Sequence, residues 1–460
     1  MGEVTIQDKL LGDNGVYDLV NQNFYLNRAQ IQLGDRFFEP VAFIGILTAL
    51  VDGKELLYGP YGKGKTTSSE ALGALLYGLP LEFMQVSQLD GHPEQTEEKI
   101  KAIIDLGKLT KEGIEEVIWR LFVYTPAKVC DEINRLPEGK QNILLKGIDR
   151  NVWTYRDSTL TVPQGCFYGT CNYADRGNTD LIPPLKDRFD IAVEVRRADP
   201  IRRELIRNGV VRDAFEQLKE PALYTEIFAM LMDSKHTAEK KLELLEQMSQ
   251  KFKQELSKRF SLSLPTNDEL RTAKKELSSL ILEDEATLFI DYLTSEMEFC
   301  IYHDKPEHAT CQKCHWKDFL CSRMGKIGGR LELSVVKYAR ATAWLLGEKK
   351  VTLEHVKMIY PYALWHRAEF QDNILQEYVS EPRESTLKLH IARKIVEEKT
   401  PHFIETKDLQ ARSYNAVVNS NANDLEKSHF KHAVYVDYVS AWDSKKDKDA
   451  VEQLLKKIRK

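Results

Sequence analysis

Between residues 54 and 195 short apolar runs alternate with longer amphipathic stretches. Lys54–Tyr58 (KELLY) and Cys166–Thr170 (CFYGT) have the length and composition of buried strands, and Thr67–Leu79 reads as a helix. This alternation predicts an α/β fold with a parallel sheet. Ahead of it, Pro40–Val51 predicts an apolar helix inside a lead-in of residues 1–53. After Val195 the strand signals largely stop. Leu242, Leu245, Met248, Phe252 and Leu256 recur at helical spacing, as do Leu282, Ala286, Phe289 and Leu293. Ser261–Asn267, containing Pro265, predicts a break between these two helices. Leu333, Val336, Ala339, Ala343 and Leu346 mark a further amphipathic helix ending near Gly347. Lys and Glu alternate around these positions, as on solvated helix faces. Further charged helices are expected over 371–460, and no internal repeat is evident.

Charge and composition narrow the class. The 460 residues carry a formal net charge of −5, so no global basic field advertises nucleic acid. The longest uncharged apolar stretch, Val41–Val51, is too short to cross a bilayer. The N-terminus has neither a signal-peptide nor a transit-peptide composition, and Ile6 stands where a myristoylation signal needs Ser or Thr. A cytoplasmic protein is the expectation. The tail from Ser444 carries seven Lys/Arg against three Asp/Glu, a solvated end or a docking arm.

Candidate chemistry begins at Gly59-Pro60-Tyr61-Gly62-Lys63-Gly64-Lys65-Thr66, a complete G-x-x-x-x-G-K-[ST] loop between the predicted strand and helix. Glycines let backbone N–H groups face the phosphates of ATP, Lys65 reaches the β- and γ-phosphates, and Thr66 can ligate Mg²⁺. Gly59, Gly62, Gly64, Lys65, Thr66 and Thr67 are the expected nucleotide contacts. Hydrolysis also needs an acid for Mg²⁺ and a group that polarises water. Asp131 and Glu132, at the end of an apolar strand, supply both. Asn172, at the end of the Cys166–Cys171 run, can orient the water or touch the γ-phosphate. Arg188, in the turn Pro184–Asp190, is either a structural partner or an arginine finger.

The order of these motifs resembles the MoxR branch of AAA+ ATPases. Cys130–Arg150 (CDEINRLPEGKQNILLKGIDR) is the most specific stretch, similar to the family's Asp-Glu-Ile-Asn-Arg segment and the helix after it. Asn151–Pro163 resembles the β-hairpin before the sensor strand, and Leu81–Tyr124 would contain the insertion in the second helix. Residues 328–367, with Val351–Val356 (VTLEHV), resemble the helical lid. The resemblance covers roughly residues 30–200 and 325–368. It implies a P-loop AAA+ parallel-sheet core followed by an α-helical lid and helical extensions. It makes Asn172 sensor 1, Arg188 the finger and Arg330 the sensor-2 arginine. Three positions depart from the pattern. Tyr61 replaces a second proline, Lys128 interrupts the strand before Asp131, and Gly328-Gly329 replaces a Ser-Pro pair. The expected organisation is a lead-in (1–53), ATPase core (54–195), linker and helical insertion (196–299), cysteine segment (300–323), lid (324–370) and C-terminal extension (371–460).

Four of the seven cysteines, Cys300, Cys311, Cys314 and Cys321, fall together, with His303, His308 and His315 among them. Without a secretion signal this clustering points to a metal rather than disulfides. Structural zinc wants four tetrahedral ligands, and a lone Cys followed by Cys-x₂-Cys-x₆-Cys also resembles the staple around four-iron clusters. Zinc and an iron–sulfur cluster both stay open. Cys130, Cys166 and Cys171 read as buried small hydrophobes.

Two functions follow. The family resemblance implies a chaperone-like remodelling ATPase in a hexameric ring, acting on a protein client and partnering with von Willebrand factor A domain proteins. The alternative is a nucleic-acid-stimulated motor, in which Arg150, Trp153, Tyr155 and Arg156 of the hairpin would meet bases and phosphates. A packed Trp in an ordinary hairpin is the plainer reading of that segment.

Overall fold

The computed structural model describes residues 4–24, 31–173, 181–196, 200–298, 311, 318–325 and 327–418. By internal packing the chain divides into two compact units, one of Met1–Leu280 with Lys337–Lys349 and one of Ile281–Val336 with Lys350–Lys460.

The first unit is built on a five-stranded sheet. Its strands are β1 (Lys54–Tyr58), β2 (Leu89–Asp90), β3 (Ala127–Asp131), β4 (Cys166–Cys171) and β5 (Ile191–Glu194), in the spatial order β5-β1-β4-β3-β2. Every pairing is parallel, as the alternating pattern predicts. Both faces are covered, so β4 and β5 are buried along their whole length. The helix Pro40–Leu50 is buried at all eleven positions, and its N-terminus is capped by Glu39, which accepts from Ala42 N at 2.8 Å. The hairpin Val152–Tyr155/Ser158–Thr161 forms as expected. Trp153 is 0% exposed, so it cannot stack on bases, and the adjacent Arg156 pairs with Glu115 at 2.9 Å.

Some elements differ from expectation. The P-loop helix runs Lys65–Tyr77, starting two residues earlier than predicted because Gly64 itself is the cap. Leu89–Asp90, inside the stretch read as an insertion, is core strand β2. The more peripheral part of that stretch is the antiparallel pair Ala102–Ile104/Val117–Trp119. Ala238–Arg259 is helical as predicted, but the break after it is followed by a further helix, Asn267–Ser279. Thr266 and Glu269 form a reciprocal capping box there, a T-x-x-E signal present in the sequence.

The second unit is mostly helical, with Asp284–Glu298, Leu353–Leu364, Asp372–Tyr378 and Leu387–Val418. A two-residue parallel bridge joins Ile281–Leu282 to Lys350–Val351. Glu296 and Lys399 pair at 2.6 Å, tying the first of these helices to the last. The helix Arg330–Leu345 ends before Gly347, which has φ +76°, as expected for a left-handed C-terminal glycine. Leu333, expected on its apolar face, is instead 70% exposed. Among the described residues no helix is long and apolar enough to cross a membrane.

Candidate ATPase site

Parallel register brings the site together. Cys171 aligns with Tyr58, and Gly169 with Cys130, so β1, β3 and β4 end at one edge of the sheet. The loop after β1 turns through Gly62 (φ +64°) and Gly64 (φ +85°), conformations that suit glycine and leave the helix N-terminus open to an anion. Lys65 then begins the helix and Thr66 and Thr67 follow it.

Lys65 is nearly buried. Its Nζ donates to Gly59 O at 2.8 Å, Pro60 O at 2.9 Å and Asn172 Oδ1 at 2.7 Å. Burial lowers its pKa, and the negative charges of Asp131 and Glu132 work against that shift. Thr66 Oγ1 donates to Asp131 Oδ1 at 2.6 Å, the pairing expected of two groups that would share one Mg²⁺. Glu132 leaves the strand with φ +49°, an uncommon conformation for a residue with a side chain. Its Oε1 accepts from Asn172 Nδ2 at 2.5 Å, and its Oε2 lies 3.0 Å from Arg135 Nε. With Thr170 linking Asp131 to Glu132, residues Lys65, Thr66, Asp131, Glu132 and Asn172 are one hydrogen-bonded cluster. Its backbone cradle, amine and acid pair suit a nucleoside triphosphate with Mg²⁺.

Several contributors were not singled out from the sequence. Thr170 Oγ1 donates to Asp131 Oδ1 at 2.6 Å and accepts from Glu132 N at 2.8 Å. Strand alternation puts Thr170 on the same face as Asn172, so the signal was present. Arg135 reaches from Glu132 to Tyr61, donating to its hydroxyl at 3.1 Å, so the residue replacing the family's proline braces the acid through Arg135. Gly91 packs so closely that a Cβ there would lie 2.0 Å from Glu132 O.

The other predicted residues stand differently. Arg188 donates to Pro184 O at 2.7 Å and lies 3.8 Å from Asp149, while its Nε is buried without a hydrogen bond among the described residues. Arg330 lies in the second unit, at the start of the helix Arg330–Leu345. Lys128 does not break β3: its stem is buried in the strand and its Nζ donates to Thr125 O at 2.6 Å. Cys300 and Cys314 lie outside the described residues, and among the described residues no cluster of three metal-ligating groups occurs. Cys130, Cys166 and Cys171 are buried, and burial holds the thiols of Cys166 and Cys171 up at about 11 and about 12.

Residues 55–189 match the AAA domain family of the dynein-related subfamily, and residues 320–385 match the AAA lid domain. No curated protein matches the sequence. Among solved structures, a candidate ATPase from Cytophaga hutchinsonii aligns with a TM-score of 0.51 at 15% identity. The alignment covers 78% of this chain and 88% of that chain, a likeness of fold. The AAA match spans β1, β3 and β4, whose ends carry the cluster, so the chain contains an AAA ATPase domain of the dynein-related kind and an AAA lid domain.

Proposed function

We propose that the loop Gly59–Gly64 with Lys65, Thr66 and Thr67 binds the triphosphate of ATP. Asp131 and Thr66 hold Mg²⁺, and Glu132 accepts the proton of the attacking water. Bound there, Mg²⁺ supplies charge neutralisation on the phosphate oxygens. The observation that carries this reading is the chain Lys65–Asn172–Glu132, in which one carboxamide bridges the phosphate-binding amine and the acid. Glu132→Gln is expected to keep ATP binding and lose turnover by about a hundredfold or more. Turnover at the wild-type rate would remove Glu132 from this role.

The hydrolysis drives remodelling or assembly of a protein complex in the cytoplasm. The working form is a homo-oligomeric, hexameric ring, and a von Willebrand factor A domain protein is the partner class that the MoxR resemblance suggests. In that ring Arg188 serves the ATP of a neighbouring subunit and Arg330 acts as the lid's sensor. The long 3.8 Å contact of Arg188 with Asp149 supports a side chain that can be recruited elsewhere. Cys300, Cys311, Cys314 and Cys321 hold a structural zinc or iron–sulfur cluster, which metal analysis of the purified chain tests. Burial of Trp153 weighs against the nucleic-acid motor. Steady-state ATPase rates with and without single- and double-stranded DNA and RNA, at fixed salt, separate the two. An unchanged rate supports remodelling, and strong salt-sensitive stimulation supports the motor.

A further inference from the structure

A cavity of about 670 Å³ lies in the first unit, against the beginning of β3. The strand presents Lys128 to it and carries Asp131 at its other end. The opposite wall comes from the helices Ala238–Arg259 and Asn267–Ser279, which lie outside both family matches. Leu242, Leu245 and Leu270 make that wall apolar. The volume is that of a small-molecule site.

The charges in the cavity are unevenly matched. Lys274 pairs with Asp52 at 2.5 Å, Arg271 pairs with Glu246 and with Asp268, and Glu243 is paired with Lys240 at 2.9 Å. Among the described residues Lys128 has no such partner. It is 5% exposed, its ammonium has three donors, and its one hydrogen bond among the described residues is to Thr125 O. A buried amine with no counter-ion is disfavoured in its charged form, and burial lowers Lys128 to about 7. A bound monoanion would supply the missing acceptor and charge. A phosphate dianion fits poorly, because Glu239, Glu243 and Glu246 line the facing helix and no glycine loop is present.

We propose that this cavity binds a small organic monocarboxylate, its charged end on Lys128 and its apolar body along Leu242, Leu245 and Leu270. The site is independent of the ATPase reading. Titration calorimetry of the full chain with decanoate tests it. Decanoate should bind saturably at one site, and 1-decanol at least about tenfold more weakly. Decanoate should also protect Lys128 from acetylation, read by mass spectrometry on the wild-type protein. Its affinity should fall as pH rises from about 7 to about 9, as the amine loses its proton. Lys128→Met should weaken decanoate at least about tenfold. If that variant does not fold, Leu242→Trp, which fills the cavity from its wall and leaves the lysine in place, should abolish binding. The proposal is overturned by absence of saturable binding up to about 1 mM, by equal binding of 1-decanol, or by full affinity in a folded Lys128→Met or Leu242→Trp protein.

Discussion

Asn172 Nδ2 donates to Glu132 Oε1 at 2.5 Å while Oδ1 of the same carboxamide accepts from Lys65 Nζ at 2.7 Å. The amide end fixes which way Asn172 faces, because an amine can only donate and a carboxylate can only accept. In the proposed mechanism this side chain links the lysine that would bind phosphate to the acid. When a γ-phosphate draws Lys65 away, the bridge must reorganise. Asn172→Ala should lower kcat by about tenfold to a hundredfold with a smaller change in ATP affinity. Equal losses in kcat and affinity would make Asn172 a binding residue only.

Thr170 makes a second prediction. Its hydroxyl serves two groups at once, donating to Asp131 and accepting from the backbone N–H of Glu132. Thr170→Val keeps the β-branch that suits the strand and removes both bonds. The N–H of Glu132, already in a left-handed conformation, loses its acceptor. We expect a loss of about 1–3 kcal/mol in stability and a rise in the Mg²⁺ concentration that half-saturates ATP turnover. Denaturant unfolding and a Mg²⁺ titration of the ATPase rate check the two parts separately.

Which parts were legible in the sequence follows from how local each relation is. Lys65, Thr66 and the glycines act within eight consecutive residues, so a motif captures them. Asp131 and Asn172 needed only the reading that each ends a buried strand. Lys128 was harder, because a charge inside an apolar run contradicts the strand pattern until its side chain is seen buried with its amine on the Thr125 carbonyl. Arg135 sits inside the recognised motif, yet its link to Tyr61 depends on a loop 74 residues away. Helix Asn267–Ser279 is announced by Thr266 and Glu269, but only Leu270, Ala273 and Leu277 of it are buried, too few to stand out as an apolar period directly after the break at Pro265.

Gly91 is a relation no local pattern shows. Asp90 aligns with Asp131 in the β2–β3 pairing, and this register alone brings Gly91 against Glu132. Gly91 N donates to Asp131 O at 2.7 Å, and an added Cβ would meet Glu132 O at 2.0 Å and Asp131 O at 2.8 Å. These are backbone atoms and cannot rotate away. Gly91→Ala should displace the end of β3, cutting ATP turnover by about tenfold or more while ATP binding through the P-loop persists. A Gly91→Ala enzyme with full turnover would show that the acid pair tolerates the shift.

Glu55 gives the pH prediction. It is the second residue of β1 and fully buried; Oε2 accepts from Thr48 Oγ1 at 2.8 Å, and Oε1 has no hydrogen-bond partner among the described residues. Burial, the largest influence, raises its pKa from 4.5 to about 8, with the Thr48 bond opposing and the charge of Glu39 adding to it. Glu39, also buried, is raised to about 8 as well. Between pH 4.5 and about 8 the unfolded chain has released protons that the folded chain keeps, so stability falls as pH rises through this window and the loss levels off above it. Lys128 acts the other way. Its folded form titrates at about 7 and its unfolded form near 10.5, so its destabilising effect is full below 7 and fades toward 10.5. Glu55→Gln keeps the shape and cannot ionise. It should leave stability near pH 4.5 little changed and raise it at pH 8 by on the order of 4 kcal/mol, flattening the decline between. Denaturant unfolding at both pH values reads this, and an equal effect at the two would mean that Glu55 does not carry the proton.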